Sequence, residues 1–249
     1  MFSKVFVAWK KNYGEKIALK VCSILREYDV EYTFRELKGC DLAIVVGGDG
    51  TLLKFQSSLE CPMLGINPGR SVGHYMSATN KDFETKLRKL LTGKEGKDYF
   101  LRIYPRLETA INGTDVPFFA LNEVLVSPIY VRRIMDSELT ANGKKSKERN
   151  TGIIFYTPSG SYAYAKSAGA EIIKDDTKFG AVAIAPYAGK LKKGEILSEK
   201  EMRLTHLRKR GELCVDGQPD QTITLNRGDT ILVKKNGHPV TIVWFSVKK

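Results

Sequence analysis

The chain has 249 residues, of which 42% are apolar, 10% aromatic and 27% charged, a balance that excludes a disordered or fibrous protein. Its length makes one large or two small domains and buries roughly 70–75% of the unfolded surface, so stability needs no disulfide staples. With 40 Lys and Arg against 28 Asp and Glu the formal charge is +12, which favours anionic partners such as nucleotides, polyphosphates, nucleic acid or acidic membranes without choosing among them.

In chain order, Lys4–Ala8 reads as a buried strand and Tyr13–Tyr28 as a helix, with Ile17, Val21, Ile24 and Leu25 at helical spacing. Glu31–Arg35 is short and β-rich. The apolar run Asp41–Val46 stops at Gly47-Gly48, Thr51–Leu59 is a short helix and Met63–Ile66 the next strand. This alternation predicts an α/β domain with a mostly parallel sheet, whose ligands sit outside the carboxyl ends of its strands. A helix at Lys81–Leu91 then meets the Gly/Lys-rich Thr92–Lys97, read as the linker between a domain at 1–97 and a second at 98–249.

Beyond Tyr99 the texture changes to short β-rich runs: Leu107–Ile111, Phe118–Val126, Arg133–Thr140, Gly152–Tyr156, Leu213–Asp216, Thr222–Leu225, Thr230–Lys234 and Val240–Val247. Asn112-Gly113 is a hairpin signal, and Asn142-Gly143 precedes the polar run Lys144–Asn150. Only Tyr162–Ala170 reads as helical here, so the second domain is expected to be mainly β. The charge excess is spread along the chain, 16 basic against 11 acidic residues up to Lys97 and 24 against 17 beyond; no basic arm carries it, and a solvated Lys/Glu-rich surface is the plainer reading of it. Cys22, Cys40, Cys61 and Cys214 lack C-x-x-C spacing and the three histidines are far apart, which argues against zinc or a disulfide framework. No segment has the apolar length of a signal core or membrane span, so a soluble, cytoplasmic protein is expected.

Three segments carry chemistry. In Leu42–Lys54 an apolar strand ends in a glycine turn that holds one carboxylate, Asp49, and enters a helix. Glycines let a phosphate approach the backbone, and helix N-terminal amides favour negative charge. Asp49 is placed either to accept the proton of an attacking hydroxyl or to help hold magnesium on a transferred phosphate, and Lys54, about one turn on, could reach the same phosphate. A plain turn with a solvated aspartate fits as well, and the pattern is neither a Walker A loop nor a G-x-G-x-x-G loop. In Phe118–Pro128 the polar pair Asn122 and Glu123 interrupts a buried run; burial is costly unless a ligand, or an internal hydrogen-bonded pair, satisfies them. In Gly152–Gly169 a strand leads through Pro158 and Gly160 to a helix for which Ser161 is the expected N-cap. Its small residues and hydroxyls suit either a nucleotide or a packing helix.

Taken together, the Gly-Gly-Asp-Gly-Thr turn at 47–51, the Asn-Glu pair and Thr157-Pro-Ser-Gly-Ser-Tyr-Ala-Tyr-Ala-Lys-Ser-Ala-Gly169 resemble the signatures of the ATP-dependent NAD kinase family, over nearly the whole chain. The resemblance implies an α/β domain, a β-rich domain and an active site between them, in an enzyme that moves the γ-phosphoryl group of ATP, with Mg2+, to the 2′-hydroxyl of the adenosine ribose of NAD. By residue it implies Asp49 as the catalytic aspartate, with Gly50 and Lys54 as neighbouring dinucleotide or phosphate contacts. Asn122 and Glu123 would bind adenine and ribose, and Ser159, Ser161, Tyr162, Ala163, Tyr164 and Ser167 would complete the pocket. Arg133 is preferred to Arg132 as a basic contact, and Gln218 is a late polar one. The family commonly has Asp-Gly where this chain has Thr151-Gly152 and threonine where Tyr162 stands; Thr151 then lacks a nicotinamide-side carboxylate, and Tyr162 could stack. Gly65–Tyr75 is unusual in an extra residue and in Arg70 or His74. The family also implies a dimer or tetramer. The rival expectations are a lipid kinase of the diacylglycerol or sphingosine kinase type, which resembles this chain in the same glycine turn, and a dinucleotide-binding regulator without turnover. The basic surface lacks the aromatic platform of a nucleic-acid binder.

Overall fold

The computed structural model of the protein describes residues 2–69, 73–130, 132–208 and 210–246. The first apolar runs build β1 (Lys4–Trp9), α1 (Glu15–Glu27), β2 (Glu31–Thr33), β3 (Leu42–Val46), α2 (Asp49–Gln56), β4 (Met63–Asn67), β5 (Met76–Thr79), α3 (Phe83–Thr92) and β6 (Phe100–Tyr104). The inner strands β3 and β4 are buried along their whole length, as parallel strands covered on both faces must be. β3 pairs in parallel with β1, Val5 opposite Leu42 through Trp9 opposite Val46, and with β4, Ala43 opposite Met63 through Val46 opposite Ile66. The carboxyl ends of these strands therefore line one edge of the sheet. α1 turns Ala18, Val21, Cys22, Ile24 and Leu25 into the core, and α3 adds Leu87, Leu90 and Leu91.

The remaining strands are β7 (Leu107–Ile111), β8 (Thr114–Asp115), β9 (Glu123–Pro128), β10 (Met135–Ala141), β11 (Lys144–Asn150) and β12 (Gly152–Tyr156), then a short α4 (Tyr164–Ser167). β13 (Phe179–Ile184), β14 (Ile196–Ser198), β15 (Glu201–His206), β16 (Arg210–Val215), β17 (Thr222–Asn226), β18 (Thr230–Lys235) and β19 (Val240–Trp244) follow. Strands β7 to β18 form two six-stranded sheets, ordered β11-β10-β15-β18-β7-β8 and β14-β13-β12-β9-β16-β17, with antiparallel pairing throughout. Strict alternation in β10 sends Met135, Leu139 and Ala141 inward, where they share one apolar core with Val124, Val126, Phe155 and Phe179. The expected hairpin at Asn112-Gly113 joins β7 to β8, with φ of 52° and 84° at the two turn residues, as such a turn requires.

Several expectations change. The chain divides into residues 1–104 with 240–249, and 105–239, so Thr92–Lys97 does not separate the units. β19, read from sequence as a second-domain strand within Val240–Val247, pairs antiparallel in the first sheet with β6, whose residues the expected boundary also assigned to the second domain, and β19 also pairs with β4. The polar run Lys144–Asn150 is a strand because register with β10 turns Glu148 and Asn150 inward. The helix expected at Tyr162–Ala170 shrinks to a 3-10 turn at Gly160–Tyr162 and the single turn of α4, interrupted at Ala163 (φ −100°, ψ −132°). Asn122 and Glu123 do not interrupt a strand: Glu123 begins β9. Among the described residues no helix is long and apolar enough to cross a membrane. Arg70 and Val247 lie outside the described residues.

Phe155 is fully buried in the core of the second unit. Phe155→Ala should lower unfolding free energy by ~3–5 kcal/mol in denaturant titration; a loss under about 1 kcal/mol would contradict this packing.

Candidate active site

The first unit contributes the turn at the end of β3. Gly48 is the residue before α2, and Asp49 is the helix's first residue, two positions earlier than the sequence reading placed the helix start. A carboxylate there is favoured by the helix dipole. Its two oxygens are fixed by the main chain: Oδ2 accepts the His74 amide at 2.7 Å and Oδ1 the Tyr75 amide at 2.9 Å. His74, picked out from sequence as an unusual side chain, thus meets the site through its backbone. Each carboxylate oxygen has a second lone pair, so Asp49 keeps accepting capacity while its orientation is set. Gly50 is exposed, with open space where a side chain would stand, so a ligand can reach its backbone. Lys54 is exposed on the same helix, but five residues at 3.6 per turn set it about 140° round from Asp49.

The second unit contributes the start of β9. Asn122 and Glu123 are buried, and the feature that seats them is Asp216, which the sequence reading passed over in favour of Gln218. The buried Asp216 carboxylate accepts three consecutive amides, Leu121 and Asn122 at 2.9 and 2.8 Å and Glu123 at 3.0 Å. Charge-assisted bonds of this kind contribute about 1.5–3 kcal/mol each. Asp216 reaches them from a left-handed turn, φ 49°, that Asp tolerates, and its own amide returns a bond to the Glu123 carbonyl. Glu123 Oε2 is buried without a hydrogen-bond partner. Burial, with the negative charge of Asp216 adding to it, pushes the Glu123 carboxyl up to about 8. Buried Arg106 lies over the Phe119 ring at 4.6 Å and donates to the His238 carbonyl at 2.7 Å; burial pulls it down to about 10, opposed by Asp216.

The Thr157–Ser167 segment packs against the same backbone. Gly160 is required here, since a Cβ would lie on the Asn122 carbonyl. The Thr157 hydroxyl donates to the Leu121 carbonyl at 2.6 Å and the Ser159 hydroxyl to the same oxygen at 3.0 Å. Ser161 is not a helix cap: its buried hydroxyl donates to the Pro158 carbonyl at 2.6 Å and accepts the Ile173 amide at 3.3 Å. Ser159 and Ser161 therefore hold the loop. Tyr162, Tyr164 and Ser167 are exposed and Ala163 half-buried, so they present a surface beside that loop. Gln218 is half-buried and donates to the Asp216 carbonyl at 3.1 Å.

Two expected members stand elsewhere in the unit. Thr151 precedes β12, whose other end, Tyr156, faces Glu123; its hydroxyl is taken by the Ile184 carbonyl at 3.1 Å. Arg133 is exposed beyond the Pro128 end of β9, its guanidinium 5.3 Å from the Tyr130 ring centre. Five residues of strand separate that end from Glu123, about 17 Å.

The glycine turn with its fixed carboxylate in the first unit and the buried Asn-Glu pair in the second are each suited to a nucleotide-binding phosphotransferase, and comparison with known proteins narrows the class. Residues 4–95 match the ATP-NAD kinase N-terminal domain and residues 121–244 the ATP-NAD kinase C-terminal domain. The chain is 31% identical over 245 residues to an NAD kinase of Clostridium beijerinckii, covering 94% of this chain and 83% of the relative. It is likewise 31% identical over 215 residues to an NAD kinase of Methanosarcina acetivorans, covering 84% and 75%. Among solved structures it resembles an NAD kinase from Archaeoglobus fulgidus in complex with ATP, with TM-score 0.80, 26% identity and coverage of 99% and 94%. Yeast NADH kinase complexed with NADH shares the fold at TM-score 0.84 and 18% identity, covering 99% and 84%. The chain belongs to the ATP-NAD kinase family.

The raised pKa of Glu123 fixes a pH dependence. The folded protein holds this proton between the ordinary value of 4.5 and about 8, so the stability it contributes is full below 4.5 and is lost as pH rises toward 8. Glu123→Gln should therefore gain melting temperature relative to wild type on going from acid to alkaline buffer; a difference that stays constant with pH would contradict the burial of this carboxyl.

Proposed function

We propose that this chain is an NAD kinase, transferring the γ-phosphoryl group of ATP to the 2′-hydroxyl of the adenosine ribose of NAD and releasing NADP and ADP. The observation that carries this reading is the match of one chain to both domains of the ATP-NAD kinase family, with Asp49 as the first residue of α2. Asp49 accepts the hydroxyl proton as the ribose oxygen attacks the γ-phosphorus; the bond from that phosphorus to the bridging oxygen breaks, and ADP leaves with the electron pair. The two amide bonds to Asp49 support this role by holding the acceptor in one orientation.

Asn122 and Glu123 are proposed to hold the adenosine portion. Near neutral pH the Glu123 carboxyl is protonated, so it can donate as well as accept, and its unpartnered Oε2 is an acceptor for a ribose or adenine group. Gly50 offers backbone to phosphate, and the rings of Tyr162 and Tyr164, half-exposed, offer stacking faces. Magnesium belongs to the proposal as part of the nucleotide substrate. The described residues form no cluster of three His, Cys, Asp or Glu, and an ion carried mainly by phosphates and water, with Asp49 as the nearest carboxylate of the turn, suits that donor set. Cytoplasmic location and a homo-oligomeric state are part of the same proposal and rest on the family resemblance; light scattering reads the latter. The lipid-kinase and inactive-regulator readings find no support in the family match.

Purified protein with ATP, magnesium and NAD should yield NADP, measured by cycling with an NADP-specific dehydrogenase; product absent while diacylglycerol is phosphorylated would transfer the case to the lipid kinases. Asp49→Asn should keep the circular dichroism spectrum and lower kcat by at least ~10²-fold. Wild-type turnover in that variant would remove Asp49 from the chemistry.

A further inference from the structure

The Asp49 carboxylate is oriented by two amides, that of His74 at 2.7 Å and that of Tyr75 at 2.9 Å. Neither donor residue belongs to a helix or strand; β5 and its ladder with β4 begin at Met76, opposite Gly65. A loop amide holds an acceptor only as firmly as the loop itself is held. Two close approaches fix the backbone here. A Cβ at Gly73 would strike the Met76 side chain and stand 3.2 Å from Asp49 Oδ1, and a Cβ at Gly65 would stand 2.7 Å from the Tyr75 carbonyl oxygen.

The two amides are held further by a row of rings. Tyr75 is buried, and its ring meets the Tyr104 ring edge to face, with centroids 5.5 Å apart and planes at 80°. The His74 ring meets the Tyr75 ring in the same way, at 5.0 Å and 88°. Aromatic pairs favour such separations and angles. Tyr104 is itself buried and is set in the sheet: it ends β6 opposite Val240 of β19, and β19 pairs in turn with β4. The row thus runs from a sheet strand to both residues that donate to Asp49. In a close-packed interior one ring cannot shift without moving its neighbours.

We propose that Tyr104 is a positioning residue for phosphoryl transfer, acting on the Asp49 carboxylate through the Tyr75 ring and the amides of Tyr75 and His74. The inference rests on the reading of Asp49 as the group that accepts the hydroxyl proton, and adds what sets its direction. Tyr104 touches no reacting atom. Without its ring Tyr75 tilts, the amides move with it and the carboxylate loses its aim; a misplacement of about 1 Å at a reacting group costs ~10²-fold in rate. Dinucleotide binding, made by other residues, stays as it is.

The test compares Tyr104→Leu, which keeps a buried apolar side chain without the ring, with Tyr104→Phe, which keeps the ring. Tyr104→Leu should lower kcat for NADP formation at least ~10-fold with KM for NAD within about threefold, and Tyr104→Phe should restore kcat. Because the effect passes through Asp49, Tyr104→Leu added to Asp49→Asn should cost less than about twofold. Amide hydrogen exchange gives a readout that needs no turnover: in Tyr104→Leu the His74 and Tyr75 amides should exchange at least ~10-fold faster while Val45 and Val46 of β3 keep their protection. The inference is overturned if exchange at 74 and 75 stays as in wild type, if Tyr104→Leu lowers kcat by the same factor with and without the Asp49 carboxylate, or if Tyr104→Phe is as impaired as Tyr104→Leu. Tyr75→Leu removes the partner ring and should behave as Tyr104→Leu does; protection lost across β3 in both leucine variants would make the rings part of the core alone and equally overturn it. Wild-type turnover in Asp49→Asn, by contrast, removes the catalytic reading and leaves exchange to decide whether Tyr104 holds the carboxylate.

Discussion

A carboxylate removed from water must be given hydrogen-bond donors or it gives up its charge. In the second unit that constraint is met by Asp216, whose side chain gathers the amides of Leu121, Asn122 and Glu123. Three consecutive N–H groups cannot converge on one carboxylate unless the chain curves around it. The path of the backbone into β9 is therefore set by a residue some ninety positions later. Glu123 meets the same constraint in the opposite way: beside a charged Asp216 and nearly out of solvent, it keeps its proton. One buried aspartate thus decides both where the Asn-Glu pair sits and what form its carboxyl takes.

Asp49 repeats the device on a smaller scale in the first unit, with two amides in place of three. Here the carboxylate stays half-exposed and retains lone pairs toward solvent. The difference in burial separates a carboxylate that shapes the backbone from one that keeps lone pairs open to solvent. In both cases the surrounding glycines serve close approach, as where Gly160 lies against the Asn122 carbonyl.

Features written in local sequence were legible. The strand, glycine turn and helix around Asp49, the Asn112-Gly113 hairpin and the amphipathic α1 depend on neighbours within a few residues, and the motifs suffice to identify the family. Features that depend on distant partners were not. Asp216 acts on residues 93 to 95 positions away, and nothing around Val215-Asp-Gly-Gln218 signals that its carboxylate faces inward. β19 leaves the β-rich texture of its neighbours to pair with β4 and β6, a choice made by sheet edges. Strands β13 to β15 lack a local signature, and Lys144–Asn150 looks like a loop until β10 supplies its register. Ser161 looked like a helix cap because Ser before small residues usually is one; the Pro158 carbonyl claims its hydroxyl first. Thr151 and Arg133 are close to the Asn-Glu pair in sequence pattern but lie at far ends of strands, since one strand length outweighs adjacency in a motif.

The account stands on Asp216 fixing the start of β9, and amide hydrogen exchange on Asp216→Ala reads this directly. Loss of the carboxylate should speed exchange at Leu121, Asn122 and Glu123 by ~10- to 100-fold while Val124 to Val126, held by β12 and β16, keep their protection. Exchange at 121–123 that changes no more than at 124–126 would contradict it.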